Sequence, residues 1–204
     1  MEHAKMIKTA NGLDTFCKIT QRFIAVAIVV MLVACAVLTV VNLVNPDAVL
    51  GEGLATLEAG DFTLAVSEDY TPDNRTVLWN MVVMSATGAA FAAAMWYAFG
   101  QIRKMLAPVK EGQPFCDSVC DALSKLSKCV LVMGVLHNVG REISNMISLN
   151  LFPVEQLLES GVVTYVTVNH ELDLSFLVAF FFLRLMVFIF RYGMQLQQLS
   201  DETL

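Results

Sequence analysis

Charge is what this chain lacks over long stretches. Only 16% of its 204 residues are charged, and none falls between Phe23 and Val44 or between Val77 and Phe99. Each run reaches the roughly 20 apolar residues that cross a bilayer. Hydrophobic residues make up 56% of the chain, against roughly 45–50% in soluble domains, and the mean hydropathy is +0.63. Signatures of catalysis are also missing. There is no Gly-x-Ser-x-Gly, no His-Glu-x-x-His and no phosphate-binding glycine loop, and the three histidines are scattered at 3, 137 and 170. The chain therefore does not read as an enzyme. Nor does any stretch read as a basic DNA-reading helix, which argues against direct nucleic-acid binding. Cys17, Cys116, Cys120 and Cys129 fall near the side expected to be reducing, so no disulfide framework is implied. Cys116 and Cys120 are four apart on an expected helix, but no second Cys/His pair accompanies them. No metal and no other cofactor is expected.

What is present points to an all-α integral membrane protein, a single domain over residues 1–204 built as a four-transmembrane-helix bundle. The spans are expected at about 23–44, 77–99, 129–147 and 174–190, the last two shorter or carrying charges. The net charge of −6 conceals a segregation. Lys5, Lys8, Lys18 and Arg22 precede the first span; Arg103, Lys104, Lys110, Lys125 and Lys128 lie between the second and third; Arg191 follows the fourth. The loop 45–76 holds seven acids against Arg75 alone. Short basic segments stay on the inner side, so both termini and the middle loop should be cytoplasmic. The acidic loop should be extracytoplasmic, with a short strand or hairpin where Phe62, Leu64 and Val66 alternate after Gly60-Asp61. Leu32-Val33-Ala34-Cys35 has the look of a lipobox. The apolar run continues past it to Val44, which favours an uncut helix and leaves lipidation of Cys35 as the alternative. The lead 1–22 scatters apolar residues among its charges, and Gly12 weakens a helix there.

The second span places Ser85, Ala89 and Ala93 four apart, beside Gly88 and Ala92. Small residues at that spacing let helix backbones approach closely and would allow a homodimer. Trp96 and Tyr97 follow as aromatic anchors. Beyond them, Gly112 and Pro114 punctuate the chain, and Phe115, Val119, Leu123 and Leu126 recur at helical spacing. An amphipathic cytoplasmic helix before the third span is expected, packed on the bundle, lying in the headgroups or serving as a docking face.

The third span carries His137, Asn138, Arg141, Glu142, Ser144 and Asn145. Positions 138, 141/142 and 145 share one helical stripe. With the span centred on 138, Arg141 and Glu142 sit within about 4–6 Å of the midplane, at 1.5 Å per residue. Arg184 lies about 3 Å from the middle of its own span by the same arithmetic. A central arginine costs at least about 2.5–3.5 kcal/mol unless compensated, and a Glu142–Arg184 pair across antiparallel helices is the expected compensation. If the third span instead runs Leu123–Gly140, Arg184 needs another partner. The cluster reads either as a structural staple or as a ligand or ion site.

Two short motifs carry a family resemblance. "EGQPF" at 111–115 and the tail "FIFRYGMQLQQLSDETL", with Phe190-Arg191-x-Gly193, Leu196-Gln197 and Asp201, resemble bacterial four-span membrane proteins grouped as domain-of-unknown-function family 2975. The tail of that family often has an acid where this chain has Phe188. The resemblance implies a bacterial cytoplasmic membrane protein, often encoded beside a small helix-turn-helix regulator. It implies a lipid bilayer and a cytoplasmic transcription regulator as partners, met around Pro114, Phe115, Arg191, Gly193, Leu196, Gln197 and Asp201. The reading is a non-enzymatic regulator or scaffold; the alternative is a small transporter or ligand sensor using Arg141, Glu142 and Arg184.

Overall fold

The computed structural model describes residues 2–45, 56–59, 62–65, 74–113, 115–151 and 172–202. Four long helices dominate: α1 (Glu2–Val44), α2 (Asn74–Lys110), α3 (Asp117–Leu151) and α4 (Ser175–Glu202). Prolines set several of their limits. The residue before a proline disfavours the helical region, and α1 stops just before Asn45-Pro46, α3 just before Phe152-Pro153. Two short strands, β1 (Thr56–Ala59) and β2 (Phe62–Ala65), pair antiparallel with Ala59 opposite Phe62. Gly60-Asp61, between the paired ends in sequence, lies outside the described residues.

With no proline before position 46, α1 runs without a break through Gly12, so the lead and the first apolar run form one helix of 43 residues. At 1.5 Å per residue that is about 65 Å, twice the roughly 30 Å thickness of a hydrocarbon core. The same merger occurs in α3. The amphipathic stretch and the expected third span form a single helix of 35 residues. Among the described residues, three helices are long and apolar enough to cross a membrane: Ile7–Val44, Val77–Lys110 and Ser175–Ser200. They mark a membrane-embedded protein. α3 is not among them, and it carries Asp117, Asp121, Lys125, Lys128, Arg141 and Glu142 along its length.

The residues group into two compact units. The first comprises Met1–Ile28, Phe91–Val135 and Asp173–Leu204. Its helices alternate in direction: Asp14 and Gln21 of α1 meet Arg103 and Trp96 of α2, Cys129 of α3 donates to the Ala94 carbonyl of α2, and Gly134 and Ser124 of α3 meet Phe176 and Arg184 of α4. Its buried apolar residues come mostly from α1 and α3, among them Ala10, Cys17, Val119, Cys120, Ala122 and Leu123, with Val187 from α4. On the apolar face of early α3, Val119 and Leu123 are packed inside the unit, whereas Phe115 stays exposed. The second unit comprises Val29–Ala90 and Leu136–Leu172. There Met31 of α1 fills the space over Gly88, and Thr87 of α2 that over Gly140 of α3. Gly88 thus serves contacts within the chain.

Candidate functional site

The two sequence motifs meet in space, within the first unit. The first begins as a helix terminator. Gln113 N–H donates to the Pro108 carbonyl at 2.9 Å and Gly112 N–H to that of Val109 at 3.2 Å, with Gly112 at φ 79°. This bond pair is the Schellman ending of α2, and its left-handed residue favours glycine because any Cβ there costs roughly 1–2 kcal/mol. The chain then delivers Phe115 onto α4. Its ring lies 5.5 Å from that of Phe190, and a Cβ added at Gly193 would come within 2.9 Å of the Phe115 ring. Gly193 is therefore a seat for Phe115, not a bend: α4 continues through it to Glu202.

Around this seat the expected docking residues are placed as follows. Arg191 is exposed, and its charge acts on the nearby Cys120 thiol. Leu196 and Leu199 are 50% and 59% exposed, and Gln197 is exposed between them. Pro114 lies outside the described residues, as do the side chain of Asp201, most of the loop 45–76 and residues 152–171, which hold the second acidic loop.

Arg184 is half-buried, and the partners it finds lie within the first unit. Its Nη1 donates to Ser124 Oγ at 3.4 Å, and its guanidinium stands 6.0 Å from the centre of the Phe188 ring. Ser124 precedes Glu142 by eighteen residues on α3, about 27 Å along the axis. The helix starts at Asp117, and the Gly134–Phe176 and Ser124–Arg184 contacts fix one antiparallel register. The Phe188 ring thus offers an aromatic face to this cation.

The remaining polar cluster lies in the second unit. Along α3, His137 is exposed, Asn138, Arg141 and Glu142 are half-buried, and Ser144 and Asn145 are buried. His137, Asn138, Arg141, Glu142 and Ser144 each engage other groups. Asn145, 1% exposed, has neither amide atom hydrogen-bonded, and neither has Asn42 of α1, 0% exposed. The amide oxygen of Asn80 on α2 is also buried without a hydrogen bond. Asn42 and Asn80 were not singled out by sequence. Their only signal is an amide near the end of a run without charge.

Sequence reasoning also missed a polar network in the first unit. Asp14 accepts from Arg103 Nε at 2.9 Å and from Lys110 Nζ at 2.6 Å. Arg103 Nη1 donates to Gln21 Oε1 at 3.0 Å, and the buried Gln21 donates in turn to the Trp96 carbonyl at 3.0 Å. Asp14 precedes the first run without charge by nine residues. The bond from Lys110, then that from Arg103, holds its carboxyl below the usual carboxylate range. The five cysteines are free thiols, and among the described residues no three His, Cys, Asp or Glu side chains gather to hold a metal. Cys35 sits inside unbroken α1, its thiol 3.9 Å from the Met81 carbonyl. No family model, curated protein or solved structure matches the chain.

Proposed function

We propose that this chain is a non-enzymatic regulator or scaffold of the bacterial cytoplasmic membrane that binds a cytoplasmic protein, such as a helix-turn-helix transcription regulator. On this reading α3 is the fourth span, both termini lie inside, and the acidic loop lies outside. The observation that carries the reading is the seating of Phe115 on Gly193. It ties the loop between α2 and α3 to the start of an exposed α4 tail bearing Leu196, Gln197 and Leu199. A rigid seat beside exposed leucines is what a helix-binding partner would grip. Co-purification from detergent, with and without residues 194–204, tests it. Partner recovery should be lost in the truncated protein, and undiminished recovery would refute the surface.

A second reading, a small transporter or ligand sensor, is favoured by the buried, unbonded amides of Asn42 and Asn145, the latter one helical turn beyond Arg141 on α3. Intramembrane polar groups are functional candidates by default. Asn145→Leu should then abolish a ligand-dependent response while leaving the fold intact.

A further inference from the structure

We propose that the cleft between α1 and the basic end of α2 binds a phosphate group, with an anionic phospholipid bearing a headgroup hydroxyl as its source. The cleft has a volume of about 570 Å³ and lies within the first unit. Its walls include Asp14, Trp96, Arg103, Lys104, Lys110 and Glu111. Three cations face two anions, so one positive charge is left over, the complement of one phosphodiester.

The donors are arranged in advance. Arg103 is held by Asp14 through Nε and by Gln21 through Nη1, which fixes its guanidinium plane and leaves Nη2 for a ligand. Lys110 spends one N–H on Asp14 and keeps two. Lys104 is exposed and makes no hydrogen bond or ion pair among the described residues. A planar guanidinium with a flanking ammonium is a fitting pair for phosphate oxygens. Trp96, 47% exposed on the cleft wall, is the residue type that sits at headgroup level.

A second cleft, of about 450 Å³, shares Lys104, Ala107 and Glu111 with the first and is lined also by Gln101. Gln101 is 2% exposed, and its Oε1 is buried without a hydrogen-bond partner. A buried acceptor of this kind calls for a donor, and a headgroup hydroxyl reaching past Lys104 supplies one. Basic pockets between membrane helices are sites of such headgroups.

The test uses the full-length chain carrying Trp79→Phe, which leaves Trp96 as its one tryptophan. In detergent it is titrated with short-chain phosphatidylglycerol, short-chain phosphatidylcholine and inorganic phosphate, following Trp96 emission. Phosphatidylglycerol should give a saturable change, with phosphatidylcholine at least tenfold weaker because its quaternary amine opposes the cluster. Lys104→Gln, at an exposed position without an ion pair, should weaken phosphatidylglycerol about tenfold, and Arg103→Gln by more. Gln101→Leu should weaken phosphatidylglycerol severalfold and leave inorganic phosphate unchanged; equal loss for both sinks the hydroxyl assignment. Inorganic phosphate binding as tightly as the lipid, and competing with it, would uphold the site but overturn the lipid source. Equal responses to the two lipids, or unaltered binding in both Lys104→Gln and Arg103→Gln, would overturn the site itself.

Discussion

The two units treat buried amides in opposite ways. In the first, Gln21 makes two hydrogen bonds and helps fix Arg103 against Asp14. In the second, Asn42 and Asn145 are as deeply buried and make none. Hydrocarbon offers no water to an orphaned amide, and leaving a buried donor or acceptor unmade costs about 1–3 kcal/mol. Gln21 thus adds stability to the first unit, whereas Asn42 and Asn145 are carried by the second at a cost. A polar group retained at a cost is where a binding role is to be sought. Gln101 follows the same logic inside the first unit, for its orphaned oxygen lines a cleft.

The comparison breaks most sharply at the asparagines. Asn145→Leu and Asn42→Leu should each raise stability, by about 1–3 kcal/mol, because an unpaired amide is replaced by an apolar group of similar size. Thermal unfolding in detergent checks this, and a loss in either variant would mean the amide is satisfied in the membrane. Gln21→Leu should go the other way, costing about 1–2 kcal/mol in the same assay, because it strips hydrogen bonds from the buried side of Arg103. The smallest effect concerns Asp14. Its folded pKa lies below the ordinary carboxylate value, so its contribution is present above that value and is lost as the pH falls through the folded pKa. The difference in Tm between wild type and Asp14→Asn should therefore be modest at neutral pH and should vanish in acid. A difference that persists unchanged into acid would show that the bonds of Asp14 to Arg103 and Lys110 stabilise nothing.

Much of the helical skeleton was legible in the sequence, and for a physical reason. A run without charge, such as Phe23–Val44 or Val77–Phe99, is a local property that periodicity and length reveal. Its extension is less visible. α1 absorbs the charged lead and α3 absorbs the amphipathic segment because no proline intervenes, and a search for apolar runs stops at the first lysine. Gly112 was legible as punctuation, since its role is local. The contact of Arg184 with Ser124 was not: the two are sixty residues apart, and their meeting depends on the register between two helices. Phe115 and Gly193 were singled out separately, yet their contact joins residues far apart in sequence and leaves no periodic trace. The Asp14 network had one faint signal, a single acid among the lysines of the lead.

The ring of Phe115 on Gly193 has a bearing on handling as well as on recognition. That contact is carbon against carbon, with no ion in it, so neither salt nor acid loosens it, whereas the ties of Asp14 weaken under both. Brine applied to the purified protein would slacken the grip of α1 on α2 first and leave the α4 corner shut.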